Sequence, residues 1–211
     1  MKKLFMFIVF INVIFSSFGA DFAKGKIIYK NGSEREGYIR FLELSEKSFI
    51  FEASIRGERE NIPSDSIKTI IFEDGTELDY WPIYKTVFGT HIKQYHWMGV
   101  LMRGFVSVYV RETTLGRPMS FGANGTMTSV GGTAIFTDYF VKRETEDGLS
   151  IICTVSTLGS NSSFKHYAKK YFEDYPQLVY KIDNNVFTYK DILEAVQFYN
   201  DWIEEKNKNK E

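Results

Sequence analysis

The sequence predicts an α+β protein: a strand-rich N-terminal part, a central antiparallel hairpin, and C-terminal helices packed on the sheet. Three observations carry that expectation. Residues 24–80 break into short runs of β-branched and aromatic residues, punctuated by Asn31-Gly32 and Asp74-Gly75, the turn dipeptides of tight hairpins. Tyr95 to Arg111 alternates with a period of two on both sides of Arg103-Gly104. From Ser163 onward the period changes, and apolar side chains recur at helical spacing.

Taken in order, Met1 to Ala20 reads as a secretory signal. Lys2 and Lys3 form the positive start, Leu4 to Phe15 is apolar apart from Asn12, and Ser16 to Ala20 offers small residues for cleavage. The run falls short of the roughly 20 apolar residues of a spanning helix, so cleavage after Gly19 or Ala20 is expected rather than anchoring. Export to the periplasm or the cell exterior follows. The organisation this implies is a signal over 1–20, a β-rich subdomain over 21–90, an α+β subdomain over 91–205, and a disordered tail over 206–211.

Within the β-rich part, Lys26 to Tyr29 and Glu36 to Phe41 flank Asn31-Gly32, while Phe49 to Ile55 and Ile67 to Phe72 are further strand candidates. Pro63 to Ser66 suits one helical turn before Ile67. Ile27 to Glu34 matches Ile70 to Glu77 in residue type at every position, as two hairpins built on the same turn chemistry would. Five or six short strands with tight turns predict a small bent sheet, or a barrel of SH3-like or Sm-like size.

Tyr80 to Trp97 concentrates Tyr80, Trp81, Tyr84, Phe88, Tyr95 and Trp97, with His91 and His96 among them. Rings at this density either pack two halves of the molecule together or form a binding surface. For the second reading the candidate residues are Trp81, Tyr84, His91 and His96, with Trp81 stiffened by Pro82 and Trp97 assigned to the core. His91 and His96 are five apart, without the spacing of a metal motif, so no metal is expected there.

In the hairpin that follows, a two-residue turn at Arg103-Gly104 would pair Leu101 with Val106 and Gly99 with Val108, glycine supplying a positive φ. Trp97, Leu101, Val106, Val108 and Val110 would then share one core-facing surface. Thr113 to Thr133 is glycine-rich but matches neither phosphate-binding pattern, and reads as a loop turning at Asn124-Gly125. Ala134 to Lys142 and Leu149 to Thr154 are two more strands around Glu146-Asp147-Gly148. The one cysteine, Cys153, follows two isoleucines and is expected to be buried.

Three helices close the chain. Phe164, Tyr167, Ala168, Tyr171 and Phe172 form the first apolar stripe, and Pro176 opens the second helix ahead of Leu178, Val179 and Ile182. Thr188 caps the third with Asp191 three residues on, Phe187 stapling to Ile192. Its stripe of Ile192, Ala195, Val196, Tyr199 and Ile203 has to cover a sheet.

The Asn31-Gly32 hairpin, the strand GFVSVY at 104–109, and the C-terminal FKHYAKKYFEDYPQLVYKI and DILEAVQFYNDWI together resemble a type of exported, signal-peptide-bearing protein common in Bacteroidota. The resemblance spans most of the chain and rests on packing residues and turns. It implies export by a Gram-negative cell and implies no activity.

Composition narrows function further. With 26 basic and 27 acidic residues the chain has no basic excess, and losing Lys2 and Lys3 with the signal makes it more acidic. Nucleic acid is therefore not an expected partner. No catalytic motif, metal-ligand cluster or cofactor fingerprint is present, so no cofactor is expected. The leading expectation is a non-catalytic binding or interaction protein of the cell envelope with a protein or glycan partner. A structural envelope component is the alternative, and an enzyme using dispersed acids such as Asp138 and Glu112 is a third.

Overall fold

The computed structural model describes residues 22–40, 47–87, 90–116, 133–156, 159–161 and 163–209. The leader and the turn expected at Asn124-Gly125 lie outside the described residues. The chain divides into two compact units, Met1–Val100 and Leu101–Glu211.

The first unit is antiparallel β. Its strands are β1 (Ala23–Tyr29), β2 (Glu34–Arg40), β3 (Ser48–Glu52), β4 (Arg59–Pro63), β5 (Ile67–Phe72), β6 (Glu77–Val87) and β7 (Thr90–Met102), with one 3-10 turn at Ser64–Ser66. β7 carries the chain past the division at Val100. The order is β7-β6-β5-β1-β2-β3-β4. Both expected turns form with the same geometry. Gly32 and Gly75 take φ of 84° and 85°, a left-handed conformation that glycine adopts without steric cost. Asn31 and Asp74 each accept the N–H two residues on, at 2.9 and 2.8 Å. β1 then pairs with β5 so that Ile27 faces its own equivalent, Ile70, both fully buried. The two hairpins are thus related by an approximate twofold through that pair.

In the strand order, β3 and β7 are separated by β2, β1, β5 and β6, a flat-sheet distance of roughly 24 Å at about 4.8 Å per strand. Yet the rings of Phe49 on β3 and Trp97 on β7 meet edge to face at 5.8 Å. The sheet therefore coils until its two ends share one core, built on Ile27, Ile39, Phe49, Phe51, Ile70 and Trp97. The expected small sheet or SH3-like or Sm-like barrel is corrected: the sheet is larger and is not closed. β6 and β7 run for 11 and 13 residues, beyond the reach of a small barrel's strands. β4 pairs with β3 alone among the described pairings, leaving an edge.

The second unit combines β8 (Val106–Gly116), β9 (Thr133–Arg143), β10 (Ser150–Ser156) and β11 (Gly159–Asn161), paired antiparallel in that order, with α1 (Ser163–Tyr171), α2 (Pro176–Asp183) and α3 (Ile192–Lys208). The α+β class is thus what the chain adopts, with the α-helices among the described residues lying C-terminal to the strands. Pro176 stands in the first turn of α2. Thr188 and Asp191 form a reciprocal capping box, worth about 1 kcal/mol, at the 3-10 turn that leads into α3. Ile192, Ala195, Val196 and Tyr199 bury in one cluster with Val106, Val108, Val141, Ile152 and Cys153. Cys153 is fully buried, and burial pushes its thiol up to about 11. Two details depart from the sequence pattern. Tyr167, assigned to the α1 stripe, is 42% exposed, and α3 continues through Lys206 to Lys208.

The turn before β8 also differs. It spans three residues, Arg103 to Phe105, and Gly104 does not adopt a positive φ. What requires glycine is Asn200 on α3. The Val106 N–H donates to Asn200 Oδ1 at 2.8 Å, and Asn200 Nδ2 donates to the Val106 carbonyl at 3.0 Å. The amide stands in for a neighbouring strand at the start of β8. A Cβ on Gly104 would lie 2.5 Å from Asn200 Nδ2. Trp97, expected to share a surface with the valines, belongs instead to the core of the first unit.

Candidate functional site

β6 and β7 form one long hairpin in which Tyr80 faces Trp97, Trp81 faces His96, Pro82 faces Tyr95 and Tyr84 faces Lys93. Opposed residues share a face and neighbours along a strand alternate, so the register sorts the aromatic cluster into two sets. Tyr80, Tyr84, Lys93, Tyr95 and Trp97 project to one side. Trp81, Ile83 and His96 project to the other. A proline inside a strand is tolerated here because β6 outruns β5: their pairing ends at Thr69 and Asp79, so Pro82 has no β5 neighbour.

The first set runs from core to solvent. Trp97 is fully buried, and its indole N–H donates to Ser64 Oγ at 3.2 Å, fixing the 3-10 turn beside β7. Tyr80 packs on Trp97 at 5.1 Å and stacks on Tyr95 at 5.3 Å. Burial, then the nearby Asp65 carboxylate, raises the Tyr80 phenol above its ordinary pKa. Farther out, the Lys93 ammonium lies 5.1 Å from the Tyr95 ring and 6.0 Å from the Tyr84 ring. Its pKa is raised, first by a hydrogen bond with Tyr95 and then by Tyr84. Tyr84 is 59% exposed and Tyr95 39%, the two large exposed rings among the described side chains of this face. Beside them opens a cleft of about 500 Å³ lined by Lys30, Lys47, Pro63, Asp65, Tyr80, Gln94 and Tyr95.

The four residues singled out from sequence are not brought to one place. Trp81 and His96 face each other across the hairpin, Trp81 partly buried and His96 8% exposed. Tyr84 projects from the opposite face. His91 stands opposite Thr86 in the register, with its side chain outside the described ones. All four belong to the first unit. Tyr80 and Tyr95 were part of the cluster but not singled out. The signal that separates them is the two-residue spacing of Tyr80-Pro82-Tyr84 against Lys93-Tyr95-Trp97, legible once the two segments are paired.

The second unit holds denser polar groups, but they are engaged structurally. Arg143 pairs with Glu146 at 3.2 Å and Asp174 at 3.1 Å, and donates to the Tyr171 carbonyl at 2.7 Å. Its guanidinium lies 4.3 Å from the Tyr171 ring, while the Tyr171 and Tyr199 hydroxyls donate to Glu146 and Asp174 at 2.8 and 2.6 Å. This network ties β9 to α1 and α3. Asp138 and Glu112 do not form a catalytic pair. Asp138 faces Arg111 and Glu112 faces Thr137, so the two carboxylates leave opposite sides of the sheet. Arg111 Nη2 and Thr154 Oγ1 occupy both oxygens of Asp138, at 2.6 and 2.8 Å, and burial raises the pKa of Glu112. Among the described residues no three His, Cys, Asp or Glu side chains are grouped to hold a metal ion. No helix there is long and apolar enough to cross a membrane.

The fold and the hairpin face define an α+β protein with an aromatic, lysine-edged surface on a coiled antiparallel sheet. Comparison with family models, curated proteins and solved structures finds no match for the chain.

Proposed function

We propose that this is an exported, non-catalytic binding module of the bacterial cell envelope, and that it holds its ligand on the exposed aromatic face of β6 and β7. The observation that carries the reading is the pair Tyr84 and Tyr95, exposed yet held in place. Tyr80 stacks on one ring and Lys93 lies within cation–π distance of both. A ring already fixed in its bound position loses little entropy when a ligand stacks on it. The cleft alongside supplies polar groups at its edge, the usual composition of a recognition site. Trp81 and His96 act from the other face as support for the hairpin. Export is supported by the tripartite character of residues 1–20 and by the resemblance to exported proteins of Bacteroidota.

Saccharide and peptide arrays probed with the mature protein and with Tyr84→Ala and Tyr95→Ala test the reading. Loss of two stacking rings should weaken the native ligand signals by about tenfold or more. Equal signals from native and variant proteins would remove the site. For export, mass spectrometry of protein from the native host should give an N-terminus at Ala20 or Asp21. An intact Met1 in that preparation would end the exported reading.

A further inference from the structure

We propose that the ligand of this face is a saccharide bearing a carboxylate group, bound through Lys30 and Lys47. The inference rests on the reading of the β6–β7 face as the binding surface and adds the chemistry of what lies there. Four cations elsewhere in the first unit have glutamate partners: Lys24 with Glu73, Lys26 with Glu34 at 3.1 Å, Arg35 with Glu60 at 2.8 Å and Arg59 with Glu52 at 2.9 Å. Lys30 and Lys47 line the cleft, both exposed, and among the described residues neither forms an ion pair. Backbone bonds fix where they stand. The Lys30 N–H donates to the Ser66 carbonyl at 3.0 Å and the Ser64 N–H to the Lys47 carbonyl at 2.8 Å, so both flank the 3-10 turn anchored by Trp97.

Among the described lining residues, two ammonium groups against the single carboxylate of Asp65 give a positive excess in a chain of net charge −1. That excess favours an anion. The remaining lining favours a sugar over a polypeptide. Apart from Pro63, its apolar surface is Tyr95, 39% exposed, with Tyr80 stacked behind it, and an exposed phenol ring suits the C–H face of a pyranose. Asp65 and the two phenols supply donors and acceptors for vicinal hydroxyls.

The test is isothermal titration calorimetry, with backbone-amide NMR to locate binding, on the mature protein. The probes are trisaccharides carrying galacturonate, glucuronate or sialic acid, their carboxyl-reduced counterparts, and hexaglutamate. At least one acidic trisaccharide should perturb Lys30, Lys47, Tyr80 and Tyr95, and weaken as salt rises. Its reduced counterpart, and the variant Lys30→Gln with Lys47→Gln, should each lower affinity about tenfold, the scale of a hydrogen bond to a charged group. Both lysines are exposed, so the variant keeps the native Tm. Equal affinity for acidic and reduced sugars, or an unchanged lysine variant, would overturn the carboxylate assignment while leaving the aromatic face standing. Binding of hexaglutamate with no response to any sugar would overturn the saccharide in favour of a polypeptide. Silence from every probe overturns this inference, and the Tyr84 and Tyr95 variants on the arrays then decide separately whether the face binds at all.

Discussion

Val196→Asp should unfold the second unit at ordinary temperatures, or lower its Tm by more than about 10 °C. Val196 is fully buried on α3 in the cluster that also holds Val106, Val108 and Tyr199. An aspartate there loses the apolar contacts of valine and places a carboxylate among apolar side chains. Burying such a charge costs several kcal/mol, a large part of the roughly 5–15 kcal/mol available to a domain. The neighbouring Gln197 is exposed on the same helix, so Gln197→Ala should shift the midpoint by no more than a degree or two. Thermal melts followed by far-ultraviolet circular dichroism read both. A Val196→Asp protein melting with the native one would mean that α3 is not docked through this stripe.

How far the sequence reaches is visible in particular residues. Local chemistry was legible. Asn31-Gly32 and Asp74-Gly75 demand a left-handed glycine wherever they occur, Pro176 can stand only near a helix start, and Thr188 with Asp191 satisfies orphan amides within four residues. β4 was not legible, because of its five residues only Ile62 is buried and no alternation shows. The β6–β7 hairpin was obscured by Pro82, which argues against a strand until β6 is seen to outrun β5. Gly104 was misread because a glycine in a turn and a glycine under a side chain look alike in sequence. Its partner, Asn200, lies ninety-odd residues away. The site failed in the same way. Aromatic density marked the segment, but the pairing register decides which rings share a face, and Lys30, Lys47 and Asp65 reach the cleft from three separate stretches of the chain.

Replacing Asn200 should destabilise the second unit by about 2–4 kcal/mol, and the same replacement should rescue a second, otherwise harmful substitution. Asn200→Ala removes the partners of both the Val106 N–H and the Val106 carbonyl, at 2.8 and 3.0 Å, and Val106 is fully buried. Each backbone group left unpaired out of water costs about 1–3 kcal/mol. Gly104→Ala acts from the other side. Its Cβ would stand 2.5 Å from Asn200 Nδ2 and 3.2 Å from Cγ, so the amide has to leave Val106 or the turn has to shift. Since Gly104 does not use a positive φ, the collision is with the side chain and not with backbone conformation. Once Asn200 is alanine, that collision is gone. The double variant should therefore be no less stable than Asn200→Ala alone, giving a coupling energy of about 1–3 kcal/mol in a double-mutant cycle measured by urea unfolding. Additive losses would show that Gly104 is required for a reason other than the close approach of α3.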